Sequence, residues 1–142
     1  IYANGRDVTD KIRNIDVTKK VSEISKIPQV RRLMTKLQRG IAQSKGSILD
    51  GRDIGTVVLP DAKYKFFITA DIEVRAKRRF EELRAKGIMV DYSQVKEDIL
   101  SRDREDLYRI YSPLKKAKDA VVIDTTKLSI EDAVNKIIQY VK

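Results

Sequence analysis

The sequence predicts an α/β fold with a parallel sheet, on two observations. Short apolar runs at Ile48-Leu49, Tyr64 to Thr69 and Ala120 to Ile123 alternate with longer segments whose apolar residues recur at helical spacing. Consecutive strands separated by helices pair in parallel through helical crossovers. The first run also leads directly into Asp50-Gly51-Arg52-Asp53-Ile54-Gly55-Thr56, a glycine turn that carries carboxylates and a guanidinium. The carboxyl end of a strand is where open α/β sheets place their ligands.

Each element has a local reason. Asn4-Gly5 is a hairpin turn signal behind Ile1-Tyr2-Ala3, and Val8 and Ile12 follow among charges. Asp16 is a suitable N-cap for a helix carrying Val17, Val21 and Ile24. Pro28 starts a second helix with a stripe of Val30, Leu33, Met34, Leu37 and Ile41, which reads as core packing, and Gly40 and Gly46 mark its end. Pro60-Asp61 turns the chain into the Tyr64 to Thr69 strand. Asp71 caps a helix through Ile72, Arg75, Phe80 and Leu83 that stops at Gly87. Ser93 caps the next, with Val95, Ile99, Arg102, Asp106 and Arg109, before Pro113 forbids continuation. After the Ala120 to Ile123 strand, Ser129-Ile130-Glu131-Asp132 opens a last helix that turns Ile130, Val134, Ile137, Ile138 and Val141 inward. At 142 residues and 42% hydrophobic, without a linker-like stretch or an internal repeat, the chain reads as one compact unit with a sizeable core.

Composition narrows the chemistry. The absence of histidine and cysteine removes imidazole bases, thiolate nucleophiles, zinc sites and disulfides. Carboxylate, hydroxyl, lysine and arginine remain, a set suited to phosphoryl transfer, where positioning and charge neutralisation do most of the catalysis. The net charge of +9, from 30 basic and 21 acidic residues, fits either nucleic acid or a cleft for several phosphates. Interleaved acidic residues and the lack of an alternating aromatic pattern argue against a nucleic-acid tail or a base-stacking sheet. No apolar run approaches the ~20 residues of a membrane helix, and no signal-peptide core is seen, so a cytoplasmic protein without membrane contact is the expectation.

Arg102, Asp106 and Arg109 follow at i, i+4 and i+7, so on a helix they share one face with two positive charges around one carboxylate. With the Asp50 to Thr56 turn they suggest a pocket for a phosphorylated, hydrogen-bonding small molecule. The same spacing also describes an exposed charge ladder contributing ~0.3 to 0.5 kcal/mol per pair, and Asp53 alone could simply cap its turn.

The segment Asp50 to Asp61, read as DGRDIGTVVLPD, resembles the bacterial cytidylate kinases of the nucleoside monophosphate kinase family. Ser22 to Arg31, the Arg75 to Arg79 helix, SRDREDLYRIYSPL and the closing VVIDTTKLSIED fit the same family in order and spacing, so the resemblance covers essentially the whole chain. It implies a P-loop NTPase-like three-layer α/β fold and transfer of a phosphoryl group from ATP to CMP or dCMP with Mg2+. It further implies that Ser22, Arg31 and Asp53 hold the cytosine base, Arg102 and Asp106 the ribose, and Arg52 and Arg109 the monophosphate. Asp50 would hold a magnesium-bound water. Arg78, with Arg102 from the following helix, would neutralise charge as the phosphoryl group moves. On this resemblance residues 1–46 belong to the CMP-binding insert region and residues 47–142 to the C-terminal part of the kinase core, with a short lid around 75–92.

The sequence departs from the family in lacking G-x-x-x-x-G-K-[ST], the loop that cradles donor phosphates. The fold is therefore expected to be incomplete, with the first strand and P-loop absent and a gap between the Ile48-Leu49 and Tyr64 to Thr69 strands. The expectation is a cytidylate kinase that is monomeric if complete, or paired with a missing N-terminal segment, and inactive as these residues alone. A catalytically inactive CMP-binding fragment and a basic RNA-binding domain are the alternatives.

Overall fold

The computed structural model describes residues 1–13, 15–44 and 46–141, with the side chains of Arg13, Ile15, Asp16, Thr18, Lys19 and Ser22 outside the described set. The chain forms two compact units, Ile1–Ile48 and Leu49–Lys142, rather than the single unit that composition suggests. The division falls inside the predicted Ile48-Leu49 strand. That strand does not form, and Ile48 is fully exposed. A strand needs a neighbour to take up its N–H and C=O groups, and among the described residues no strand pairs with these two.

In the first unit, β1 (Tyr2–Ala3) and β2 (Arg6–Asp7) form an antiparallel hairpin. Asn4 and Gly5 both take positive φ, 51° and 76°, the left-handed pair that a two-residue hairpin of this twist demands. A 3-10 turn at Lys11–Arg13 leads into α1 (Ile15–Ile24), and Pro28 opens α2 (Pro28–Ser44) at the position where its missing N–H costs nothing. The proposed cap on α1, the Asp16 side chain, lies outside the described residues. Gly40 sits within α2 rather than at its end, so only Gly46 lies beyond it. The α2 stripe is amphipathic as predicted, but it is not core: Leu33, Met34, Leu37 and Ile41 are all about half exposed. Periodicity specifies which face is apolar, whereas a covering layer decides whether that face is buried.

In the second unit, β3 (Phe66–Thr69) and β4 (Val121–Asp124) pair in parallel, with Phe66 opposite Val121 and Thr69 opposite Asp124. Between them run α3 (Ile72–Ala85) and α4 (Tyr92–Tyr108), which pack on one another, and α5 (Ile130–Val141) follows β4. Asp71 caps α3 as predicted, accepting from the Glu73 N–H, and Gly87 takes φ 72° just after it. The cap of α4 is Asp91, not Ser93. Its carboxylate accepts from the N–H groups of Ser93 and Gln94 and from the Ser93 hydroxyl, because an acceptor at the residue before the helix reaches the second and third amides. Ser129 and Asp132 cap α5 reciprocally, each side chain accepting from the other's N–H.

The core of this unit gathers Val58, Ala76, Leu83, Val95 and Ile123. It is smaller than the hydrophobic content suggests. Ile130, Val134, Ile138 and Val141 of α5 remain exposed instead of turning inward, as do Ile68 and Val122 of the strands, because a two-stranded sheet offers too little surface to cover them.

Candidate functional site

The turn after Leu49 departs from a simple loop. Asp53 is followed by a single π-helical turn, Ile54–Val58, in which the Asp53 carbonyl accepts from the N–H groups of Val57 at 2.8 Å and Val58 at 3.2 Å. Wide turns of this kind are uncommon and recur at functional sites. The Asp53 side chain makes no cap hydrogen bond to that turn, so the capping alternative does not describe it. Its carboxylate is instead buried, 11% exposed, with an Arg109 guanidinium nitrogen 3.9 Å away.

Arg109 reaches Asp53 because α4 ends one residue earlier. Arg109 is extended, at φ −62° and ψ 140°, and the chain then folds back through Ser112, a non-glycine residue at φ 51°. The Leu114 N–H donates to the Asp106 carbonyl at 2.7 Å, and Arg109 Nε donates to the Ser112 carbonyl, so the turn clamps the guanidinium from below. A left-handed serine costs conformational energy that surrounding contacts must offset, and such positions gather at ligand sites.

Asp106 is the hub of the cluster. It pairs with Arg109 at 3.1 Å and with Arg52 Nε at 3.0 Å. Helical spacing proposes Arg102 as the second cation around this carboxylate, but the second cation comes from the Asp50 to Thr56 turn. Arg102 is exposed and makes no ion pair among the described residues. The charge-ladder alternative fails for the same reason, since Asp106 and Arg109 are mostly buried, at 21% and 14% exposed.

Ion pairs thus run from Arg52 to Asp106 to Arg109 to Asp53. The members of this series differ in how readily they can exchange partners. Arg52 is 57% exposed, so its pair with Asp106 is solvent-screened and weak. A phosphate with two negative charges can displace that pair at little cost and take bidentate bonds from the guanidinium.

Of the remaining sequence-predicted residues, Asp50 is exposed. Arg78 spends its guanidinium on the loop after β4, donating to the carbonyls of Thr125 at 2.7 Å and Leu128 at 3.2 Å and to the Thr125 hydroxyl at 3.2 Å. Arg31, in the first unit, is half-buried and donates to the Ser25 carbonyl at 3.3 Å. The Ser22 side chain lies outside the described residues.

Sequence reasoning missed Thr125 and Thr126. The buried Thr125 hydroxyl donates to the Thr69 carbonyl at 3.0 Å, and the Thr126 hydroxyl accepts from the Asp71 N–H at 2.9 Å, tying together the carboxyl ends of β3 and β4. Only their position just after a strand could have signalled this. The α3 to α4 connection is likewise held at its base. Arg75 pairs with Asp103 at 2.7 Å, the Tyr92 hydroxyl donates to Glu73 at 2.8 Å, and Phe80 meets Tyr92 edge to face. Hydrogen bonds from Lys96 and Tyr92 hold the Glu73 carboxyl below its ordinary range.

A sequence profile described as Cytidylate kinase matches residues 1–142. The chain belongs to the cytidylate kinase family. It is 50% identical over 139 residues to the cytidylate kinase of Caldicellulosiruptor bescii, covering 98% of this chain and 62% of that protein. It is 49% identical over 142 residues to that of Alkaliphilus oremlandii, covering 100% and 65%, and 51% identical over 142 residues to that of Halalkalibacterium halodurans, covering 100% and 64%. The chain therefore spans less than two thirds of the length of these curated relatives. The parallel β3–β4 pair with its helices agrees with the P-loop NTPase fold of this family of transferases. Among the described residues, no helix is long and apolar enough to cross a membrane.

Proposed function

We propose that this chain supplies the acceptor side of a kinase that moves a phosphoryl group from ATP to CMP or dCMP. The observation that supports it most is the bridging of Asp106 by Arg52 and Arg109, which gathers two guanidiniums beside the buried Asp53 carboxylate. In this reading the acceptor phosphate takes Arg52 and Arg109, which suit it because each presents parallel donors. Asp106, relieved of Arg52, is free to accept from the ribose hydroxyls, with Arg102 beside it in the sequence of α4. Asp53 accepts from the exocyclic amine of cytosine, and Arg31 and Ser22 complete recognition of the base. Uracil would set a carbonyl against Asp53, leaving two acceptors face to face at a cost of ~1 to 3 kcal/mol.

Magnesium keeps most of its water and asks a protein for only one or two carboxylates besides substrate phosphates. Asp50 fits that use, since its exposed carboxylate is accessible to a metal-bound water. When bound, the ion would neutralise donor phosphate charge. Arg78 and Arg102 would steady the charge of the moving phosphoryl group, which for Arg78 means giving up bonds to Thr125 and Leu128. A monomeric cytoplasmic enzyme is part of the same proposal.

Calorimetric titration of the chain with CMP, UMP and cytidine tests the reading. CMP should bind more tightly than both. Arg52→Ala and Arg109→Ala should weaken CMP much more than cytidine, which lacks the phosphate. Equal affinity for CMP and UMP, or equal losses for CMP and cytidine, would refute the assignment.

A further inference from the structure

The Leu49–Lys142 unit carries a basic concavity whose lining differs from the Arg52–Asp106–Arg109 cluster. It measures about 430 Å³ and lies between the π-turn and the segment that leads into β4, with Gly55, Lys65, Lys115, Lys116, Lys118 and Asp119 in its lining. Lys65 and Asp119 stand just before β3 and β4, at the amino ends of the strands. Arg78 and Thr125 meet at the opposite, carboxyl ends.

The charges of this concavity are unequal in kind. The Lys65 ammonium is 8% exposed and donates to Asp119 at 2.6 Å and to the Pro60 carbonyl. That pair is structural, and it holds the Asp119 carboxyl below its ordinary range and removes it as a competitor for cations. Gly55 packs beside this pair, and a Cβ there would meet the Lys65 stem and Ala117 at ordinary van der Waals range. Lys115, Lys116 and Lys118 are exposed and make no ion pair among the described residues. Three like charges on one short segment repel one another, and binding an anion with several charges relieves that repulsion.

We propose that this concavity is an anion site for a short polyphosphate, either free or carried by a nucleotide. Its volume is that of a small-molecule site. Among the described residues, no aromatic ring lines it for base stacking, and no arginine fork for a planar carboxylate. Ammonium groups act as point charges that suit the distributed charge of a phosphate chain.

The test is titration of the 142-residue chain with sodium tripolyphosphate, followed by amide chemical shifts and calorimetry at low and high salt. Saturable binding that weakens with salt is expected, with shifts centred on Gly55, Thr56 and Ala117. A triple variant, Lys115→Gln with Lys116→Gln and Lys118→Gln, should lose about tenfold in affinity or more. A double variant, Arg52→Gln with Arg109→Gln, should keep the saturable shifts around Gly55 and Ala117, because its charges belong to the other cluster, and should lose only shifts near its own positions. A parallel ATP titration distinguishes the sources: equal affinity points to the phosphate chain alone, tighter ATP binding to a nucleotide. Loss of binding in the arginine variant with retention in the lysine variant would overturn the proposal. So would the absence of saturable shifts around Gly55, or a long oligonucleotide whose shifts spread beyond the concavity and whose affinity exceeds that of both phosphates.

Discussion

Removing Asp106 separates the strong and weak halves of the arginine cluster. Its pair with Arg109 joins groups that are 21% and 14% exposed at 3.1 Å, so truncation leaves a mostly buried guanidinium short of one charged partner. Loss of a hydrogen bond to a charged group costs ~1.5 to 3 kcal/mol. The low end applies, because Arg109 keeps the Ser112 carbonyl and the Asp53 carboxylate. The pair with Arg52, which is 57% exposed, adds the ~0.5 kcal/mol typical of screened pairs. Asp106→Ala should therefore destabilise the second unit by ~2 kcal/mol and Arg52→Ala by only ~0.5 kcal/mol. Urea unfolding followed by circular dichroism measures both, with a shift in midpoint at unchanged slope as the signature. Equal effects of the two variants would refute the division into a buried structural pair and an exposed exchangeable one.

Three further outcomes are expected. Asp53→Asn should narrow the preference for CMP over UMP, because the amide supplies a donor to the uracil carbonyl; an unchanged ratio in competition binding would remove Asp53 from base reading. The Asp91 carboxyl is held below its ordinary value of 3.8, first by the Ser93 hydroxyl and then by the Gln94 and Ser93 amides. A lowered folded value stabilises above the unfolded one and is lost as pH falls through 3.8 and below. Asp91→Asn should therefore lose less of its urea midpoint than the parent between ~pH 6 and ~pH 3. Finally, the 142 residues contain no G-x-x-x-x-G-K-[ST] loop, so nothing in them holds the β- and γ-phosphates of ATP in line with an acceptor. A coupled ADP-release assay with CMP, ATP and magnesium should show no turnover by this chain, and turnover on joining it to a P-loop segment of a relative.

Local chemistry made much of the molecule legible in the sequence. Asn4-Gly5, Pro28, Asp71, Gly87 and the Ser129–Asp132 pair act within a few residues of where they stand, so they predicted their turns, caps and helix ends with little reference to the rest of the chain. Helical periodicity named the apolar faces of α2 and α5, and β3 and β4 formed where the apolar runs lie. The resemblance carried by DGRDIGTVVLPD and its companion segments reached the family.

What tertiary structure alone decided is which of those features found partners. Ile48-Leu49 has the composition of a strand, yet pairing is a property of two segments, and among the described residues no second strand pairs with it. The α2 and α5 faces are amphipathic, yet burial depends on a covering layer. Spacing along α4 placed Arg102 beside Asp106, whereas the structure set Arg52 there, from a turn about fifty residues earlier. A helix brings together residues three and four apart. Only the folding of one segment against another can place a guanidinium from a distant turn on a carboxylate, because that contact is set by the path of the chain in space and not by any interval within it.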